Sequence, residues 1–153
     1  MDSRIDQIMA IMEAAFDPRW GEAWNRRQVT DALATPNTHC LLLNSGDDAR
    51  GPATGFLLSR AAPGEEEILL LAVTPDQRRR GIAGQLLNDF KKAAKARGAE
   101  KLFLEMRHNN PAIAFYEKHG FHPVGRRVNY YRQNNGSYLD AITFMHNIVA
   151  VTD

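Results

Sequence analysis

One cysteine, almost no net charge and no long apolar run set the first limits on this chain. Cys40 has no second cysteine with which to close an internal disulfide. Its place inside an apolar segment reads as a small buried hydrophobe rather than a nucleophile, and a reducing compartment fits that reading. No apolar run exceeds the six residues Ile68 to Val73, and Asp2, Arg4 and Asp6 interrupt the N-terminus. Neither a membrane span nor a secretory signal is therefore expected, and the chain reads as soluble and cytoplasmic. Nineteen basic against eighteen acidic side chains leave a net charge of +1, which argues against a field built for nucleic acid or a membrane surface. Repeats, linkers and low-complexity tracts are missing too. What is present, 44% hydrophobic and 24% charged over 153 residues, describes one globular domain spanning 1–153 with a core of its own.

Ile5, Ile8, Met9, Met12, Ala15 and Phe16 recur at spacings of three and four and predict an amphipathic helix that Asp17-Pro18 ends. Asn25, three residues before Gln28, predicts the start of a second, short helix running to Pro36. His39 to Leu43 and Ala53 to Ser59, apolar segments around a polar stretch at residues 44–48, read as an antiparallel pair. Glu67 to Val73 lacks polar alternation and reads as a strand covered on both faces. Ile82, Leu86, Leu87, Phe90 and Ala94 define a helical face with Lys91, Lys92, Lys95 and Arg97 solvated opposite, and Gly98 closes it. Leu102 to Met106 is another buried strand. A helix follows from Asn109-Asn110-Pro111 to Gly120, and Phe121 to Val128 and Ala141 to Ile148 close the chain as strands around a polar stretch from Asn129 to Asp140. The order helix, helix, three strands, helix, strand, helix, two strands implies an α/β protein with a mixed central sheet flanked by helices.

The stretch from Val73 through Arg78-Arg79-Arg80-Gly81-Ile82-Ala83-Gly84 joins a buried strand to a helix whose first turn is small. Gly81, Ala83 and Gly84 let an anion approach the unpaired N–H groups of that turn, and the helix dipole and arginines favour negative charge. A pyrophosphate suits it; a solvated basic loop is the plainer alternative. G-K-[ST] does not follow the glycines and G-x-G-x-x-G is absent, which removes the ATPase and dinucleotide-fold readings.

Arg78-x-x-Gly81-x-Ala83 resembles the acyl-CoA pyrophosphate loop of the GNAT superfamily of N-acyltransferases. A V-x-P precedes it, and Asn109-x-x-Ala112-Ile113-x-Phe115-Tyr116-Glu117-Lys118-x-Gly120-Phe121 follows in that superfamily's order and spacing. Leu104-Glu105-Met106-Arg107, Arg127-x-x-Tyr130-Tyr131 and Asp140-Ala141 are similar to the bacterial ribosomal-protein alanine N-acetyltransferases. The chain departs from that pattern by a shorter segment before Asn109 and by one extra residue, Val128, ahead of the paired tyrosines.

The resemblance implies a GNAT-like sheet in which the strands Glu67 to Val73 and Leu102 to Met106 run parallel and splay apart. It implies acetyl-CoA as cosubstrate, with Leu71, Ala72 and Val73 offering backbone groups to pantetheine and Arg78, Arg79, Arg80, Gly81, Ala83 and Gly84 holding the pyrophosphate. It puts the cofactor-side asparagine at Asn109, whereas capping logic favours Asn110. It makes Glu105 the general base and Tyr116 the general acid, and lays Tyr130 and Tyr131 over the acceptor. The acceptor it implies is a protein N-terminus, the alanine of ribosomal protein S18, with no direct role for nucleic acid or membrane.

The residues themselves leave alternatives open. Glu105 in an apolar strand can simply be solvated or paired with Arg107. As a base it needs burial or a bridging water, since a free glutamate titrates near ~4.3. Tyr116 beside Ile113 and Phe115 reads equally as core, although a phenol near ~10 has a proton to offer a departing thiolate. Glu65-Glu66-Glu67 reads as a solvated strand entry. His39, His108, His119, His122 and His146 show no zinc-type spacing, so no metal is expected. Three functions remain: an N-terminal peptide acetyltransferase, an acetyltransferase of lysines or small amines, and a noncatalytic acyl-CoA-binding domain. Glu105 with Tyr116 favours catalysis, and the tyrosine pair favours a peptide.

Overall fold

A computed structural model describes residues 4–16, 22–44, 52–78, 81–133 and 135–148. Helices α1 (Arg4–Ala15) and α2 (Arg26–Leu33) precede strands β1 (Thr38–Asn44), β2 (Ala53–Ala62) and β3 (Glu65–Val73). Helix α3 (Ile82–Ala96), β4 (Lys101–Arg107), α4 (Ile113–Lys118), β5 (His122–Arg132) and β6 (Tyr138–Asn147) complete the chain. The six strands form one sheet in the order β1-β2-β3-β4-β6-β5, parallel only between β3 and β4. This is the expected element order and mixed sheet. Among the described residues no helix is long and apolar enough to cross a membrane.

Each face of the sheet carries its own core. Ile8, Ile11 and Met12 of α1 and Val29 of α2 pack with Phe56 and Leu58 on one face. Leu57 points the other way, to Ile82, Leu86, Leu87 and Phe90 of α3. That is the two-residue alternation of a strand covered on both sides. The α3 side is so close that a Cβ on Gly55 would sit 2.9 Å from both Ile82 and Leu86, so a residue without a side chain is required there. Asn25 caps α2 through the reciprocal bonds with Gln28 that its spacing predicts, and Arg26 pairs with Asp6 to tie α2 to α1. Cys40 is half-buried against the α1 core, and burial pushes its thiol up to about 11, consistent with a packing role.

The structure corrects three sequence expectations. The segment from Asn129 to Asp140 is not simply a polar loop, because β5 and β6 run into it to Arg132 and from Tyr138. Cross-strand pairing continues to Arg132↔Tyr138, and that outweighs the polar composition. Glu66 is not a solvated strand entry, being 1% exposed. Nor is Arg97 free on a solvated face. Its Nε donates to Glu66 Oε1 at 2.9 Å and its Nη2 to Oε2 at 2.6 Å, while Ser59 Oγ donates to Oε2 at 2.6 Å. The fork holds the end of α3 against the middle of the sheet. Lys91 is likewise employed, its Nζ donating to the carbonyl of His119 at 2.6 Å.

Removing the arginine strands a buried carboxylate on one serine, and breaking such a pair from one side typically costs ~3–5 kcal/mol. With the Arg97 side chain 31% exposed, Arg97→Ala is expected at the lower end, about 3 kcal/mol. Arg97→Lys should recover only part, because an ammonium cannot reproduce the two-pronged contact. Urea unfolding reads both, with the exposed Lys95→Ala as reference at under about 0.5 kcal/mol. An Arg97→Ala loss no larger than that of Lys95→Ala would remove the fork from the account of stability.

Candidate active site

β3 and β4 pair through only Glu65↔Lys101, Glu66↔Leu102 and Glu67↔Phe103. Both strands continue, β3 to Val73 and β4 to Arg107, each still bonded to its outer neighbour as far as Val73↔Gly55 and Arg107↔Ala141. Between them the sheet opens onto a cavity of about 770 Å³ lined by Ile68 to Val73 on one edge and Leu104 to Arg107 on the other. Among the described residues no strand pairing faces these edges across the gap, a geometry that an extended ligand can meet with backbone hydrogen bonds.

A bulge accompanies the opening. Leu58 pairs with Leu70 and Ser59 with Ile68, which leaves Leu69 as an extra residue on β3. Leu69 and Leu70 therefore both face the α1 core, while Ile68, Leu71 and Val73 face α3. Leu71, Ala72 and Val73 all line the cavity. At its far end Arg78 also lines it, its Nη2 donating to the carbonyl of Ala15 at 2.9 Å and so tying the loop to α1. Arg79 and Arg80 lie outside the described residues. Gly81 starts α3 at φ 78°, where a side chain would be strained, and as the N-cap residue it makes no side-chain bond to the helix. A helix start of this kind is one whose first N–H groups an anion can approach. Ala83 lines the cavity, and a Cβ on Gly84 would lie 3.7 Å from the His119 ring.

Glu105 and Tyr116, far apart in sequence, line this same cavity. Glu105 is half-buried on β4, with Arg127 Nε at 3.3 Å from its Oε2 and Thr143 Oγ1 donating to that oxygen at 3.4 Å. Arg107, the partner suggested by sequence, points elsewhere, to Asn109 and towards Glu22. Tyr116 is 7% exposed, in edge contact with Phe115 and Phe121, and burial pushes its phenol well above the usual range. It belongs to the core and to the cavity wall at once.

Of the two asparagines, Asn110 lines the cavity, but it does not cap α4 as capping logic favours: its Oδ1 accepts from Ala112 N at 2.8 Å in the turn ahead of the helix, whose N-cap is Ala112 with no side-chain bond. Asn109 is not in the lining; its carbonyl and Oδ1 each accept from Arg107 at 3.0 Å. Of the two tyrosines, Tyr131 lines the cavity and Tyr130 stands outside it, 50% exposed. Burial first, then the charges of Glu105 and Glu22, push the Tyr131 phenol up to about 12, so its hydroxyl keeps its proton.

Glu22 is a lining residue that sequence reasoning missed. Its Oε2 lies 3.6 Å from Arg107 Nε and accepts weakly from Asn110 Nδ2 at 3.5 Å. Burial raises its carboxyl despite the arginine. It sits between two helices where no periodicity marks it. Arg127 and Thr143 were also missed as partners of Glu105, although Arg127 stands within the quoted tyrosine motif.

The sequence profile of the acetyltransferase (GNAT) family matches residues 5–121. N-alpha-acetyltransferase RimI of Mycobacterium tuberculosis is 35% identical over 130 residues, covering 84% of this chain and 77% of that protein. The [ribosomal protein bS18]-alanine N-acetyltransferase of Escherichia coli is 34% identical over 87 residues, 56% of this chain and 59% of that protein. The crystal structure of the ribosomal-protein-S18-alanine N-acetyltransferase from Escherichia coli superimposes with a TM-score of 0.79 at 26% identity, over 99% of this chain and 94% of that one. A profile spanning most of the chain and an open parallel pair in the sheet lead to one conclusion: the chain belongs to the GNAT family and is an acetyl-CoA-dependent N-acetyltransferase.

Proposed function

We propose that this protein acetylates the N-terminal α-amine of a protein, with the N-terminal alanine of ribosomal protein S18 as acceptor. The observation that carries the proposal is that one cavity, opened by the end of the β3–β4 pairing, is lined by Glu105, Tyr116 and Tyr131 together. The relatives named for ribosomal-protein alanine acetylation support the choice of acceptor.

In this reading acetyl-CoA supplies the acetyl group as a thioester. Backbone groups of Leu71, Ala72 and Val73 bond its pantetheine as a neighbouring strand would, and the Gly81 to Gly84 turn with the adjacent arginines takes the pyrophosphate. Glu105 accepts the proton that the acceptor ammonium must lose, directly or through water, so that the nitrogen lone pair can attack the acetyl carbon. A backbone N–H near Leu71 or Ala72 meets the negative charge that builds on the carbonyl oxygen. The second proton that the nitrogen sheds on becoming an amide ends on the sulfur to give the CoA thiol, and while the carbon–sulfur bond breaks that sulfur is met by the hydroxyl of Tyr116. Its raised pKa keeps the donor form populated, so it stabilises a thiolate of ordinary pKa ~8.5 chiefly by hydrogen bonding. Tyr131, which lines the same cavity, grips the acceptor backbone.

The amine class has a physical reason. An α-amine titrates near ~7.7–8.0 and a lysine near ~10.4, so at neutral pH a carboxylate has less to do for the former.

Glu105→Gln and Tyr116→Phe should keep acetyl-CoA binding and lose turnover, within the ~100 to 10,000-fold range of general acid–base contributions. Part of the Glu105→Gln loss should return at higher pH, where free amine forms without a base. Near-parent turnover in both variants at saturating acceptor would sink the assignment.

Gly81→Val should weaken acetyl-CoA binding strongly while Lys95→Ala does not. It puts a side chain on a φ of 78° at the turn proposed to hold the pyrophosphate. Equal affinities by calorimetry would move that placement elsewhere.

The acceptor is tested with one Ala-initiated peptide carrying an internal lysine, offered free and N-terminally blocked. Fragmentation should place the acetyl group on the α-amine of the free form alone. Acetylation confined to the lysine, or equal activity on the blocked form, would assign the enzyme to lysines or small amines instead.

A further inference from the structure

Tyr130 and Tyr131 are adjacent in sequence but do different things. Tyr131 lines the cavity. Tyr130 instead lies under the Arg127 guanidinium, whose Cζ is 5.1 Å from the ring centroid, and meets the Tyr131 ring edge-on at 5.2 Å. Arg127 in turn has its Nε 3.3 Å from Glu105 Oε2. Ring, guanidinium and carboxylate form a chain that ends on the proposed base.

In a regular strand residues three apart point to opposite faces, so Arg127 and Tyr130 would not meet. Here Arg127 pairs with Ala141 and Tyr131 with Leu139, which sets Val128, Asn129 and Tyr130 against the single residue Asp140. Asn129 makes the fold-back at φ 56°, the only positive φ outside glycine among the described residues. Asp140 fixes it. Its Oδ1 accepts from Asn129 N at 2.9 Å and its Oδ2 from Arg126 Nε at 2.7 Å, bonds that hold its carboxyl below the usual range. Val128 lies within this bulge. The groups facing Arg127 are Glu105 of β4, Glu67 of β3 and Tyr131 of its own strand; burial raises the pKa of both Glu67 and Tyr131, and the arginine's charge offsets only part of that rise.

We propose that Tyr130 and Arg127 are positioning residues for Glu105: the Tyr130 ring holds the guanidinium flat, and the guanidinium fixes the carboxylate in its direction towards the cavity. The inference rests on the reading of Glu105 as the base. A planar guanidinium stacks on a ring and keeps its donors in a fixed fork, which an ammonium cannot do. Tyr130 thereby serves the base, and contact with the acceptor falls to Tyr131.

Steady-state kinetics with acetyl-CoA and the Ala-initiated peptide tests this. Arg127→Ala and Tyr130→Ala should each lower kcat by about tenfold to a hundredfold, the scale of a misplaced catalytic group, with the KM of the peptide little changed. The double variant should be no slower than the worse single one, since both act through one carboxylate. Tyr130→Phe, which keeps the ring, should restore most of the rate lost in Tyr130→Ala. In a Glu105→Gln background Arg127→Ala should add nothing. A raised peptide KM at unchanged kcat, equal damage from Tyr130→Phe, or additive losses would overturn the inference. Parent-like turnover in Glu105→Gln would overturn the base assignment and this inference with it. A slow Glu105→Gln beside an unaffected Tyr130→Ala would overturn this inference alone. Because both residues act on the base, the same measurements run on whichever amine the parent acetylates.

Discussion

The parallel ladder between β3 and β4 stops after Glu67 and Phe103, although each strand runs on and keeps its antiparallel partner on the outer side. A sheet cannot ordinarily leave such edges open in its middle, because buried backbone donors and acceptors without partners are costly. Here the opening is supported from both sides. Leu69 bulges on β3 and turns two successive side chains to the α1 core, while β4 stays bonded to β6 through to Ala141. The cavity is thus a property of the backbone, walled by strands that stay paired on their outer sides, and in the proposed function pantetheine takes the place of the missing strand.

That opening could not be read from residue patterns. The apolar run from Ile68 to Val73 marks a covered strand, and Phe56, Leu57 and Leu58 show their alternation plainly, so the order of elements follows from periodicity and capping. A bulge at Leu69 has no local signature, since it stands between Ile68 and Leu70 in an unbroken apolar run. The splay was expected only because of the family resemblance. The glycine turn before α3 was legible because positive φ and an uncapped helix start demand small residues. Glu66 was misread for the opposite reason. Three glutamates in a row look solvated, and only tertiary structure brings Arg97 back from 31 residues away to pair with the middle one.

The same limit explains the candidate site. Glu105 and Tyr116 were visible as misfits, a carboxylate in an apolar strand and a phenol in an apolar helix, each a residue whose polarity its surroundings do not explain. Glu22 was not a misfit, standing in a polar connection, and nothing but the fold brings it to Arg107. Arg127 was hidden by strand parity. Counting residues puts it and Tyr130 on opposite faces, and the bulge around Asn129 removes that separation.

Burial divides labour between the two proposed catalytic groups. Tyr116 is almost wholly enclosed by Phe115, Phe121 and the α3 core, which disfavours the phenolate and keeps its proton in place until negative charge builds on a nearby sulfur. Glu105 retains a path to solvent, its side chain 21% exposed, and a group that takes a proton on every turnover must also release it to water. An exposed carboxylate on a strand would wander between rotamers, and the entropy of holding it is met by contacts from two further strands. Thr143 lies directly opposite on β6, and Arg127 reaches over from β5. The hairpin of β5 and β6 therefore stands in the architecture as the support of the proposed base, and Tyr131, which lines the same cavity, is carried by β5.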